Sequence, residues 1–294
     1  MQPMIKQRHS MAVWSAGILL FAASTAIAGA PEHQERHFAV IGHPVVVLQN
    51  IVNGRIEVKS SKNSEVIVSS TAIADKVAID MEQVGDRIDI RASSLGGSSQ
   101  PHEMEANFQL TVPENTELQL KTQTGLIYVE QVSGDMKLES VAGDVHLKEV
   151  SGYIIVKTTG GSLICTLCSG KLEFTSISGG AQVLQPSLTN VNLMTTSGNI
   201  LYDGDFIRTG IYTMKSGRGL VEVRFSDNDS FDLNAQTNFG TVDNQAAAFL
   251  KPDTHASRHT ASRYAHSLFG TVGQGLAKVE LSSYSGTIRI LKRN

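Results

Sequence analysis

The chain has 294 residues, of which 41% are hydrophobic, 18% charged and 6% aromatic, with 26 glycines and a formal charge of −3. Two cysteines exclude a disulfide-rich miniprotein, and glycine without a triplet period excludes collagen. The near-neutral balance excludes a nucleic-acid binder held by phosphate contacts.

Lys6, Arg8 and His9 precede an apolar run from Met11 to Ala23. That run is shorter than the about 20 residues a membrane-spanning helix needs. Ala26-Ile27-Ala28 then fits the small-x-small pattern of a leader cleavage site. Ala28-Gly29-Ala30 fits it too but would leave Pro31 first, so cleavage is expected after Ala28. No cysteine stands there to carry a lipid, and no later segment is apolar enough to span a membrane. The expected product is a periplasmic or secreted chain, residues 29–294, forming one domain. Losing residues 1–28 removes two cations and Trp14, the single tryptophan.

Residues 31–50 are expected to form an irregular N-terminal cap. Asn53-Gly54-Arg55-Ile56-Glu57-Val58 and Arg87-Ile88-Asp89-Ile90 read as strands, and 93–103 as a polar loop. A regular array follows over 122–183. Glycines stand at Gly125, Gly134, Gly143, Gly152, Gly161, Gly170 and Gly179, each nine residues after the last. With the glycine as position zero, position two is Ile127, Met136, Val145, Ile154, Leu163 and Leu172. Position four is Val129, Leu138, Leu147, Val156, Cys165 and Phe174. These share one face of a strand because side chains alternate with period two. Position seven (Val132, Val141, Val150, Thr159, Cys168, Ile177) has the wrong parity for that face. If it too points inward, the chain must bend near positions five and six, and the glycine supplies a second bend. A chain that bends regularly and keeps one side apolar coils, and its coils pair laterally at a spacing of about 4.8 Å. The expected fold is all-β: a single-stranded parallel β-helix, or β-solenoid, with two of these units per coil, or three as the alternative. Hairpins of a β-sandwich would instead favour Asn-Gly or Asp-Gly turns.

Looser copies begin at Thr196-Ser197-Gly198, Lys215-Ser216-Gly217 and Asn238-Phe239-Gly240. Residues 251–267 form a polar excursion, read as a loop or short helix. The chain closes on Tyr284-Ser285-Gly286-Thr287-Ile288-Arg289-Ile290, followed by charges expected to discourage end-to-end stacking of a monomer or weak dimer.

Val112-Pro113-Glu114-Asn115-Thr116-Glu117-Leu118-Gln119-Leu120, the Ser-Gly-Asp-x-apolar units and the closing Gly273-Gln274-Gly275 with Ser285-Gly286-Thr287-Ile288 resemble the bacterial putative-adhesin family of β-strand-repeat envelope proteins. The resemblance covers nearly all of the chain after the leader. It implies a right-handed parallel β-helix with an irregular N-terminal cap, matching the handedness of parallel crossovers. It brings no catalytic residues.

Two features depart from that pattern. Cys165-Thr166-Leu167-Cys168 has redox or metal spacing, but both cysteines occupy positions that are apolar in sister units. They are read as a buried thiol pair or a structural disulfide. On a straight strand residues three apart lie about 10 Å from each other, too far to bridge, so only the bend permits the bond. The second feature is His255, His259 and His266. His255 and His259 are four apart, a spacing that chelates metal on a helix, yet Arg258 and Arg263 lie close and no glutamate stands between the histidines. They are read as a solvated surface with an interaction role. The acidic segments around Asp203 and Asp227 fail the EF-hand spacing. No cofactor and no catalytic residue is expected. The functional expectation is a non-enzymatic envelope scaffold or adhesin-like surface whose partner is an envelope protein or a surface glycan. The alternative is a β-helix polysaccharide lyase or hydrolase, which would need paired acids on an outer face.

Overall fold

A computed structural model describes residues 31–73, 76–96, 104–247, 249–252 and 266–293. Among them there is no helix, and hence none long and apolar enough to cross a membrane. The leader lies outside the described residues, as do 97–103 of the polar loop and 253–265 of the later excursion.

Nearly all strands of the regular array run as alternating pairs: β8 (Glu117–Thr122), β9 (Ile127–Glu130), β10 (Met136–Ser140), β11 (Val145–Lys148), β12 (Ser151–Thr158), β13 (Leu163–Thr166), β14 (Ser169–Ser176), β15 (Ala181–Leu184), β16 (Ser187–Thr195), β17 (Ile200–Asp203), β18 (Ile211–Ser216) and β19 (Val221–Phe225). Odd-numbered members join sheet I and even-numbered members sheet II, and both sets pair in parallel. Met136 pairs with Ile154, and Ile154 with Leu172, so one coil is two of the glycine-spaced units and not three. Positions two and four point inward throughout and are buried, from Ile127 and Val129 to Leu172 and Phe174.

Position seven divides. Val132, Val150 and Cys168 are buried, whereas Val141 is 48% and Ile177 is 58% exposed. The two halves of a coil turn differently. Leaving sheet I, the chain bends at Gln131, Glu149, Leu167 or Gln185, all at positive φ (49° to 58°), and that left-handed residue swings the next side chain inward. Leaving sheet II, the strand runs longer and position six turns inward instead. Ser140, Thr158 and Ser176 are therefore buried, and the ladder continues through Thr195 and Ser216. Most of these hydroxyls accept the N–H of the glycine three residues on: Ser140 from Gly143 at 2.8 Å, Ser176 from Gly179 at 2.8 Å and Ser216 from Gly219 at 2.9 Å. A buried N–H that the sheet cannot pair is thereby satisfied. The glycine itself is required by proximity. A Cβ on Gly161 would lie 1.9 Å from the carbonyl oxygen of Gly143 in the coil beneath.

Later coils lengthen. A register shift near Gly170 adds a residue between Leu188 and Asn190, and the coil that runs from Val191 to Tyr212 is longer still. The surplus is the loop 204–210, whose Phe206 enters the core against Tyr202 (5.1 Å between ring centres), Tyr212 (4.8 Å) and Phe231 (4.7 Å).

The ends depart from chain order. The first coil, β2 (Val45–Asn50) and β3 (Ile56–Ser61), lies directly beside β8 and β9. The second, β6 (Arg87–Ser94) and β7 (Ala106–Pro113), lies outside the first. Antiparallel strands close that end: β4 (Glu65–Ile73) on β7, β1 (Pro31–Ala39) on β4, and β5 (Val77–Val84) on β6. The N-terminal cap is thus β1, β4 and β5, not residues 31–50 as a block, because β2 is apolar on its inner face and belongs to the stack. At the far end β20 (Phe231–Thr237) and β21 (Thr241–Asn244) form the outermost coil. The last strands, β24 (Ala277–Ser283) and β25 (Thr287–Lys292), lie inside it, between β18/β19 and β20/β21. The C-terminal charges consequently do not guard the end of the stack. That end is covered by β22 (Lys251–Pro252) and β23 (His266–Val272), the latter antiparallel to β20.

Candidate functional site

The outer face of sheet I carries two columns of side chains, one rung per coil. The first runs Tyr128, His146, Ile164, Gln182, Leu201, Glu222, Arg289, Asp243. The second runs Lys59, Glu130, Lys148, Thr166, Leu184, Asp203, Arg224, Leu291. Charges occupy both ends and the middle has none.

At the N-terminal end Lys148 lies 2.7 Å from Glu130. That bond, with a second from the Tyr128 hydroxyl, holds the Glu130 carboxyl below the ordinary carboxylate range. Tyr128 is pushed up, first by burial and then by Glu130. At the C-terminal end Glu222 is only 6% exposed although it faces outward. Arg224 lies 2.6 Å from one of its oxygens and Arg289 3.1 Å from the other. Arg289 also reaches Asp243 at 3.3 Å, and Arg224 reaches Asp203 at 3.4 Å. Arg293 continues this network to Asp203 and Asp205. A buried carboxylate is tolerable because two guanidinium groups neutralise it.

Between these clusters Ile164, Leu184 and Leu201 are half-buried. Beside them runs a groove of about 490 Å³, lined chiefly by Ser162, Ser178, Gln182, Asn199, Leu201 and Glu222. Its floor is fixed from below: the Ser162 hydroxyl accepts Gly180 N–H at 3.2 Å and the Asn199 amide oxygen accepts Leu220 N–H at 2.9 Å. Along the corner that bounds the groove stand Val141 and Ile177, and at its far end Phe239 (72% exposed) packs edge-on against Tyr284 (57%), ring centres 5.2 Å apart. The arrangement is a neutral strip of hydroxyls, amides and aliphatic groups, framed by charge and ending on an aromatic pair.

Cys165 and Cys168 are joined in a disulfide, Cα atoms 6.0 Å apart and both side chains buried. Leu167 at positive φ is the bend that brings them together. Their neighbours one coil away on either side are Leu147 and Val183 for Cys165, and Val150 and Pro186 for Cys168. The pair thus sits in the core beneath sheet I and does not meet the groove. His266 begins β23, exposed and paired with Thr237. His255 and His259 lie outside the described residues. Among the described residues no group of three or more His, Cys, Asp or Glu could hold a metal ion. Sequence reasoning missed the groove and the Glu222 network, because their members come from many coils and no local motif marks them.

The family model described as Toastrack DUF4097 matches residues 49–291. The chain belongs to the Toastrack family. No curated protein matches it. Among solved structures, the Toastrack chain is similar to a "putative adhesin" from Bacteroides fragilis at 10% identity, covering 88% of this chain and 97% of that one, with a TM-score of 0.48. It is also similar to a "putative cell adhesion protein" from Clostridium sporogenes (10% identity, 90% and 100% covered, TM-score 0.30). A "putative lipid binding protein" from Parabacteroides distasonis is a third (12%, 89% and 97%, TM-score 0.28).

Proposed function

We propose that this Toastrack protein is an exported, non-enzymatic envelope component whose rigid solenoid presents the outer face of sheet I as an adhesin-like binding surface. In this reading residues 1–28 are removed, residues 29–294 form one right-handed, single-chain solenoid, and the product is a periplasmic or secreted monomer or weak dimer. The partner is an envelope protein or a surface glycan. The observation that carries the reading is the neutral strip at Ile164, Gln182, Leu184 and Leu201, held flat by parallel coils and flanked by saturated ion pairs. Its polar groups are donors and acceptors without net charge, suited to recognition. Glu222, the one carboxylate in the groove, is engaged by two arginines and so poorly placed to act as a general acid or base. The Cys165–Cys168 bond suits an oxidising compartment.

Cell fractionation with N-terminal sequencing tests export: a chain beginning at Gly29 outside the cytoplasm is expected, and a retained leader refutes it. The exported protein is then assayed for binding to purified envelope fragments. Leu201→Glu should weaken binding by about tenfold or more, as loss of a central contact does, with unchanged thermal stability. Reproducible turnover of a polysaccharide would overturn the non-enzymatic reading.

A further inference from the structure

The chain crosses over itself at both ends in the same way. β3 and β4 are joined by residues 62–64, yet β7 lies between them, parallel to β3 and antiparallel to β4. β23 and β24 are joined by Gly273-Gln274-Gly275-Leu276, yet β20 lies between them. That second link straps the start of β20: Gln274 N–H donates to the Ser230 hydroxyl at 2.8 Å and Ala277 N–H to the Ser230 carbonyl at 2.9 Å. Both glycines have positive φ, and a Cβ on Gly275 would lie 2.4 Å from an Asp232 carboxylate oxygen.

The two end coils carry the same local signature. Thr237 stands three before Gly240, and Ser283 three before Gly286, as Ser216 stands before Gly219. Leu233 and Val279 both align with Tyr212, and Ala235 and Leu281 with Met214. Either coil therefore fits the exposed edge of β18/β19. β20 follows β19 after only residues 226–230, whereas β24 begins at Ala277, so in the full chain the nearer coil closes the smaller loop and reaches that edge first.

We propose that the edge of β18/β19 is a two-occupant site. The coil 231–244 docks there first, and the C-terminal coil 277–292 displaces it outward by one rung and completes the fold. Burial selects the final order. Ile288 and Ile290 are fully buried, while the corresponding positions of the outer coil are the partly buried Val242 and the polar Asn244, which an end rung tolerates. The strap at 273–276 then holds the displaced coil in place.

The outward column of sheet II provides the test in the full chain, because Thr213, Glu280 and Asn234 occupy consecutive rungs. Neighbouring rungs lie about 4.8 Å apart, within disulfide reach, and alternate rungs about twice that, beyond it. Thr213→Cys with Asn234→Cys can bridge only when β20 sits on β18, and Thr213→Cys with Glu280→Cys only in the final order. Chains are refolded, sampled over time, oxidised and mapped. The 213–234 bridge should form in early samples and vanish from late ones, while the 213–280 bridge rises as it falls. Absence of the 213–234 bridge at all times, with 213–280 appearing together with β-sheet circular dichroism, would overturn the proposal. Persistence of the 213–234 bridge in the equilibrated protein would overturn the strand order itself.

Discussion

Ser176→Ala probes the buried hydroxyl ladder most directly. Ser176 is 5% exposed; its hydroxyl oxygen accepts Gly179 N–H at 2.8 Å, its own proton goes to the Thr159 carbonyl at 3.3 Å, and the Thr158 hydroxyl lies 3.0 Å away. Alanine removes that acceptor from a buried corner. Gly179 N–H is then a buried donor without a partner, which costs about 1–3 kcal/mol. Thr158 donates its proton to the Gly161 carbonyl at 2.6 Å and keeps that bond, so the further loss is Ser176's own weak bond to the Thr159 carbonyl, about 0.5–1 kcal/mol. The expected total is about 1.5–4 kcal/mol, or a fall in Tm of about 3–7 °C for a chain of this size. Ser178→Ala is the matched control: its exposed hydroxyl makes one 3.3 Å bond to Thr159 and should change stability by no more than about 0.5 kcal/mol. Ser176→Thr should be near neutral, since Thr158 and Thr195 fill the same place in adjacent coils. Urea denaturation followed by circular dichroism measures all three. Equal losses for Ser176→Ala and Ser178→Ala, or a loss below about 0.5 kcal/mol for the former, would refute the claim that the inward hydroxyl satisfies the corner.

Adjacent glycines should behave oppositely: Gly161→Ala forces a carbon to within 1.9 Å of the Gly143 oxygen and should cost several kcal/mol, whereas Gly160→Ala meets nothing nearer than 3.7 Å and should be neutral or gain about 0.5 kcal/mol, both read from denaturation midpoints. Replacing Cys165 and Cys168 together by valine, the residue found at Val183 and Val150 in neighbouring coils, should leave the fold intact and cost about 2 kcal/mol, the chain entropy of so small a loop; failure to fold would show a larger role. His37, between Glu35 at 3.0 Å and Glu65 at 2.8 Å, has a pKa raised first by the bond to Glu35 and then by that to Glu65. A raised folded value means that its hold on β1 is complete below the unfolded pKa of about 6.5 and is lost as pH rises through the folded one. NMR titration should place His37 above 6.5 and Glu65→Gln should lower it; a value below 6.5 would contradict the clamp.

Much of the architecture was written locally. The nine-residue glycine spacing with apolar positions two and four dictated strands, bends and parallel stacking, because side-chain alternation and glycine's tolerance of close approach act within a few residues. The choice between two and three units per coil was not local, and neither was the fate of position seven. Val132 and Val141 have the same place in the repeat, but one follows a left-handed Gln131 and turns in, while the other follows Ser140, whose hydroxyl is needed inside by Gly143. The hydroxyl three before every second glycine stands in the sequence, but nothing local says that it turns inward.

Tertiary structure alone decided which coils are neighbours. Words such as Ser216-x-x-Gly219, Thr237-x-x-Gly240 and Ser283-x-x-Gly286 specify the same bend and fit the same rung, so no local signal ranks them. The order follows from the whole stack: the coil ending on Ile288 and Ile290 gains most from cover on both sides, and the one ending on Val242 and Asn244 loses least at the edge. The groove on sheet I is of the same kind, since it exists only once Ser162, Gln182, Asn199 and Glu222, drawn from separate coils, are stacked rung upon rung.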